Sequence, residues 1–146
     1  MSGVTGWTRI GQGGRRDMRV MLMIKGDPEP GAVPSEELLA AMGRYNDELK
    51  QAGVVVDLAG LLPSAEGRRV KFSGGSRAVI NGPFDESKKL TAGYWILRVE
   101  SMDEAVEWAC RAPFEALSRI YPGEYGAEGE IEIRQVFEPE GSDASN

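Results

Sequence analysis

The sequence predicts an α+β fold, with one antiparallel sheet carrying two helices on a single face. Short runs in which apolar residues alternate read as strands, and two longer runs repeat their apolar residues every three or four positions. Gly- and Pro-rich breaks separate these runs. Their order is strand, helix, strand, hairpin, strand, helix, strand. Without the hairpin this is a ferredoxin-like βαββαβ arrangement, so the whole is βαββαβ with an inserted β-hairpin.

Residues 1–17 follow neither period and are rich in Gly, Ser, Thr and Arg, so they read as a flexible N-terminal arm. Gly11-Gln12-Gly13-Gly14 has no strand before it and no Gly-Lys-Ser/Thr after it, which sets aside a nucleotide loop. Met18 opens the organised part and is an alternative start of the biological chain. Residues 18–25 form the first strand. Met18, Val20, Leu22 and Ile24 make one apolar face, while Arg19, Met21, Met23 and Lys25 make the other. That second face, apolar in the middle and basic at both ends, suits a covering subunit or a pocket.

A loop with three prolines leads to Ser35, an N-cap, with Glu36 and Glu37 at the positive end of the helix dipole. Leu38, Met42, Tyr45 and Leu49 form the helix's core stripe, and Gly53 ends it. In the strand over residues 54–62, Val54, Val56 and Leu58 share one face and Val55, Asp57, Ala59 and Leu61 the other. Asp57 is the odd residue there, because an acid in an apolar strand needs a partner, and a nearby arginine is the expected one.

Residues 68–72 and 76–80, joined by Gly74-Gly75, read as a hairpin. The stretch Asn81-Gly82-Pro83-Phe84-Asp85-Glu86-Ser87-Lys88, closing at Gly93, then breaks the ladder. Pro83 lacks an N–H donor, and Phe84 is an apolar anchor in a polar turn. Such a loop suits either a cover over a site or a connector. In the next strand, over residues 94–99, Trp95, Leu97 and Val99 face one way and Tyr94, Ile96 and Arg98 the other. Ser101-Met102-Asp103-Glu104 is a capping box for a helix over residues 105–111, stopped by Pro113, with Cys110 as a small buried hydrophobe. Residues 114–129 are irregular. The last strand, residues 130–137, turns Ile131, Ile133 and Phe137 inward and Glu132 and Arg134 outward, before a flexible tail over residues 139–146.

At 146 residues the chain reads as one domain, spanning 18–138 between its two tails. The net charge of −6 argues against nucleic acid as a partner, and no apolar run is long enough for a membrane span. A single cysteine fits a reducing cytoplasm. The absence of histidine removes the usual general base and the usual metal ligand, so neither a metal nor a cofactor is expected.

If both helices pack on one sheet face, the other carries Arg19, Met21, Met23, Lys25, Asp57, Tyr94, Ile96, Arg98, Glu132 and Arg134. Two such faces meeting about a two-fold axis would bury the apolar middle and pair the charges, which predicts a homodimer with a cleft beside the interface.

Residues 20–27, 34–53, 81–97 and 129–137 resemble the YCII-related proteins, in particular the DGPF-domain branch. The strongest pieces are Asn81 to Lys88 and Gly129-Glu130-Ile131-Glu132-Ile133-Arg134. The resemblance implies a dimeric α+β barrel of two ferredoxin-like subunits in a bacterial cytoplasm. It also implies kinship with small enzymes that isomerise, dehalogenate or decarboxylate aromatic or lactone-like compounds. Some relatives are linked to extracytoplasmic-function sigma factors. The chain departs from the pattern at three positions: Asn81 stands at the signature aspartate, Ala59 where relatives often carry an acid, and Leu62 where they often carry His or Gln.

The expected function is therefore binding of a small anionic molecule at the dimer cleft, with acid–base chemistry of an isomerase or lyase kind. Asp57 or Glu86 would move the proton. Arg19, Lys88 and Arg98 would hold the anion, Tyr94 would donate a hydrogen bond, and Asn81 and Phe84 would shape the loop. The alternative is a non-catalytic interaction or regulatory module, with the resemblance implying a tie to sigma-factor-dependent transcription. It would meet a protein partner through its acidic surface and through Phe114, Tyr121 and Tyr125.

Overall fold

The computed structural model describes residues 16–31, 34–115 and 129–139. Two strands form the centre of its main sheet, β1 (Met18–Lys25) and β5 (Thr91–Val99). Both alternate strictly, burying Val20, Leu22 and Ile24 on β1 and Trp95, Leu97 and Val99 on β5. β5 begins three residues before the expected Tyr94, because Lys25 pairs with Thr91 across an irregular step.

The remaining elements are α1 (Glu36–Gln51), β2 (Val55–Gly60), the ribbon β3 (Arg68–Ser73) and β4 (Ser76–Asn81), α2 (Met102–Cys110) and β6 (Ile131–Gln135). The main sheet runs β2-β5-β1-β6 with every neighbour antiparallel. Each helix thus returns the chain past one intervening strand, giving the two split β-α-β units of an α+β fold. β3 and β4 form a separate two-stranded sheet.

Both helices start where the sequence places a cap. Ser35 Oγ accepts the Leu38 N–H at 3.1 Å, and Ser101 Oγ accepts the Glu104 N–H at 3.1 Å. α1 buries Leu38, Ala41, Tyr45 and Leu49 against the sheet, and α2 buries Ala105 and Trp108. Full burial of one such aliphatic side chain contributes about 1.5–3 kcal/mol, so this single layer dominates the fold's stability. The polar edges of its aromatic rings are also satisfied. Trp95 Nε1 donates to Asn46 Oδ1 at 2.8 Å, and the Tyr45 and Trp95 rings meet edge to face at 5.2 Å.

Several expectations need correction. Val55 pairs with Leu97 and Asp57 with Ile96, so Val56 is the extra residue of a bulge. It is exposed, and Val55 takes its place against the core. Phe137 is 82% exposed, because the strand ends at Gln135 and its alternation ends with it. Cys110 is exposed rather than buried, since it falls off the Ala105–Trp108 face. Phe114, expected as an exposed contact, packs against the core cluster. Tyr121 and Tyr125 lie outside the described residues.

The arm is anchored at its end. Arg16 donates to the Ala52 carbonyl at 2.9 Å and pairs with Glu104, whose side chain is fully buried, at 3.3 Å. The same carboxylate accepts the Glu100 N–H at 2.7 Å and Trp108 Nε1 at 3.2 Å. Buried charge is tolerated here because each carboxylate oxygen accepts a hydrogen bond and Arg16 supplies the opposite charge.

Candidate functional site

A cavity of about 330 Å³ lies between the first half of α1 and the adjoining ends of β2 and β5, near the lower end of the range for small-ligand sites. Leu38, Met42, Leu58, Leu62 and Trp95 give it an apolar wall, and among the described residues no charged one lines it. Besides Trp95, whose indole N–H is bound to Asn46, the lining residues that have a polar side chain are Asn46 and Tyr94. Met42 belongs to the stripe expected as core, yet it is only half-buried, because the cavity opens at that point of the helix.

The helix-free face of the sheet is laid out by register. One row reads Ala59, Tyr94, Met23, Glu132, and the next reads Asp57, Ile96, Met21, Arg134. Arg19 lies opposite Arg98 at the end. The apolar middle and charged rim are present as expected, and these side chains on the two central strands are all part-exposed in the single chain. The rim charges are largely satisfied within the chain. Lys25 Nζ lies 3.5 Å from Glu132, Arg134 Nη1 lies 3.3 Å from the same carboxylate, and Arg19 makes a two-pronged pair with Glu138. That pairing holds the Glu138 carboxyl below the usual carboxylate range and raises the Arg19 guanidinium.

Asp57 is exposed on this face. It accepts the Leu58 N–H at 2.9 Å and the Tyr94 hydroxyl at 3.4 Å, so among the described residues its partners are a phenol and the next residue's backbone rather than an arginine. Ala59 and Tyr94, paired across β2 and β5, belong both to this face and to the cavity wall.

The loop after β4 has a different task. The Gly82 N–H donates to the Gly67 carbonyl at 2.9 Å, and the Gly82–Pro83 peptide is cis. A Cβ on Gly82 would lie 1.7 Å from the Ser64 carbonyl oxygen, so only glycine fits there. Phe84 N–H donates to Ser64 Oγ at 3.0 Å, and Ser64 Oγ donates to Asp27 at 2.5 Å. Arg69 stacks on the Phe84 ring at 4.0 Å. Phe84 therefore clamps the base of the ribbon, where Asn81 ends β4 opposite Arg68. Glu86, at φ +62°, pairs with Lys89 at 3.1 Å on the exposed side of the loop, and Lys88 is exposed beside it.

Of the eight candidate residues, the structure brings together Asp57 and Tyr94, of which Tyr94 lines the cavity, and places Arg98 and Arg19 farther along the same face. It separates from them Asn81, Phe84, Glu86 and Lys88, none of which lines the cavity. Sequence reasoning missed Asn46, Asp27 and Ser64. Asn46 sits beside Tyr45 on the buried side of α1, and a polar residue there was the available signal. Asp27 lies in a loop and Ser64 opens a single 3-10 turn, and neither has a period to mark it.

The model of the YCII-related domain family matches residues 18–138. The chain belongs to the YCII-related domain family. It is also similar to the uncharacterised protein R00369 of Rhizobium meliloti (strain 1021), at 27% identity over 74 residues. That match covers 51% of this chain and 60% of the relative, so it spans less than two thirds of the relative's length. In this YCII-related chain, Ala59 and Leu62, the positions at which the resemblance implies an acid and a His or Gln, both line the apolar cavity. Among the described residues no cluster of three or more His, Cys, Asp or Glu could hold a metal ion. No described helix is long and apolar enough to cross a membrane.

Proposed function

We propose that this YCII-related protein binds a small molecule with an apolar body and a hydroxyl-bearing end, and that it does so as a homodimer joined through the open sheet face. The observation that carries the reading is the apolar cavity, whose lining includes Tyr94, the residue that bonds Asp57. An apolar wall favours an aromatic or alicyclic body, and 330 Å³ suits one or two rings. Tyr94 spends its proton on Asp57, which leaves its oxygen as an acceptor for a ligand O–H. A carboxylate next to that oxygen repels an anion, so this geometry favours a neutral phenol or alcohol over the anionic ligand expected from the sequence. If a proton moves in this site, Asp57 relayed through Tyr94 is the pair that moves it.

The dimer reading rests on Met21, Met23, Tyr94 and Ile96, an apolar band across β1 and β5 with charges at its ends. Both parts are testable by thermal shift and sedimentation. A phenol at about a hundred times its dissociation constant should add roughly 2.7 kcal/mol of stability. The shift should vanish when Met42→Trp fills the cavity. Shifts given only by carboxylates, and retained in the filled variant, would overturn the ligand reading. A monomeric wild type would overturn the dimer.

A further inference from the structure

The β3–β4 ribbon is the feature that the proposed function does not use. All of its residues are exposed, on both faces. A two-stranded ribbon on its own is marginally stable in water, so one this exposed wants a surface to lie on. It carries Arg68, Arg69, Lys71 and Arg77, and none of the chain's 23 acidic residues, although the chain's net charge is −6. Register puts Val70 opposite Val79 and Phe72 opposite Arg77, so one face presents Val70, Phe72 and Val79 flanked by arginines. The Arg77 guanidinium lies 4.7 Å over the Phe72 ring.

The matching chemistry occurs on the outer side of α2. Met102, Val106 and Cys110 are exposed at steps of four, a stripe running the length of the helix. Asp103 and Glu107 run beside it with the same spacing. Eight residues of helix span about 12 Å, whereas Val70 to Phe72 spans about 7 Å, with Arg68 and Arg77 extending that face as cations. An apolar row edged by cations and one edged by carboxylates are complementary in charge.

We propose that the ribbon is an arm that docks on α2 of a second copy of this chain, with Val70, Phe72 and Val79 on the Met102–Val106–Cys110 stripe and its arginines against Asp103 and Glu107. About a two-fold axis the contact is made twice. It uses none of the residues of the open sheet face, so the two interfaces stand or fall separately.

The single native cysteine supplies the test. Val79→Cys/Cys110→Ala protein is mixed with wild type and treated with a short bis-maleimide. The expected product is a pair of unlike copies linked between positions 79 and 110, identified by peptide mass spectrometry. Links confined to like copies would overturn the proposal. Sedimentation of Arg77→Glu provides the second measurement. Self-association should weaken about tenfold and be restored by adding Asp103→Arg. If Arg77→Glu leaves self-association intact while Met21→Lys abolishes it, the arm is wrong and the sheet-face dimer stands. If instead the ribbon retains a single-stranded oligonucleotide that Arg77→Glu releases, with self-association unchanged, its partner is nucleic acid and the proposal fails.

Discussion

The Tyr45 hydroxyl donates a 2.7 Å hydrogen bond to the Trp108 carbonyl, joining α1 to α2 above the sheet. Both residues are buried, so this bond sits in the part of the core where water cannot replace it. Burial also pushes the Tyr45 hydroxyl well above its ordinary value of 10.0.

Tyr45→Phe should therefore cost about 1–3 kcal/mol, because it leaves the Trp108 carbonyl without this donor. The pH signature follows from the direction of the shift. The folded state keeps the proton longer than the unfolded state, so the contribution is complete below pH 10 and is lost as pH rises beyond it. Urea unfolding of wild type should thus lose stability above pH 10, and the variant should lose less. Parallel pH profiles would show that this bond is not the alkaline weak point.

The clamp of Asp27, Ser64 and Phe84 holds the loop that introduces β5. Ser64→Ala removes a donor to a carboxylate and an acceptor for Phe84 N–H together, at a cost of about 1.5–3 kcal/mol. Gly82→Ala should be worse, since its new Cβ meets backbone oxygen rather than a side chain that can rotate. Amide hydrogen exchange should show residues 82–90 opening first in Ser64→Ala. Uniform loss of protection across the sheet would contradict a local clamp.

Glu138 is held ionised by Arg19, so its carboxyl should titrate below 4.5. The pair's stabilisation is present above that value and fades as pH falls through the folded midpoint. Carbon-detected NMR should show the Glu138 midpoint returning toward 4.5 in Arg19→Ala. An unmoved midpoint would mean that the pair is not formed in solution.

The fold was legible in the sequence where period and capping agree. Strict alternation on β1 and β5, and Ser35 and Ser101 ahead of apolar repeats, each leave one arrangement that buries the core. It was not legible at Val56, because a bulge shifts which residues face the core without changing composition. Asp57 and Tyr94 could be placed on one face from parity alone, whereas the cavity could not. Its wall joins α1 to β2 and β5, and only packing brings those together. Residues 81–88 carried the clearest motif in the sequence, and their rigidity proved to serve the ribbon's base. A Gly-Pro turn signals a demanding backbone, and Gly82 shows that the demand here is steric.

Glu104 gives the sharpest test of where the folded unit begins. Its carboxylate is fully buried and divides its hydrogen bonds between the Glu100 N–H and Trp108 Nε1, while Arg16 supplies the opposite charge. A chain starting at Met18 would keep both hydrogen bonds and lose the charge partner. Because Arg16 is itself 31% exposed, part of its attraction is screened by water, and the loss should be about 1–3 kcal/mol rather than the cost of a wholly buried pair. Glu104→Gln removes the need for a countercharge while keeping an acceptor for one N–H. In that background, starting at Met18 should cost less, and the double-mutant cycle should give a coupling of about 0.5–3 kcal/mol. Additive losses in urea unfolding would show that Arg16 acts through its bond to Ala52 alone. Coupling would show that the charge at Glu104 was placed for a residue that precedes the first strand.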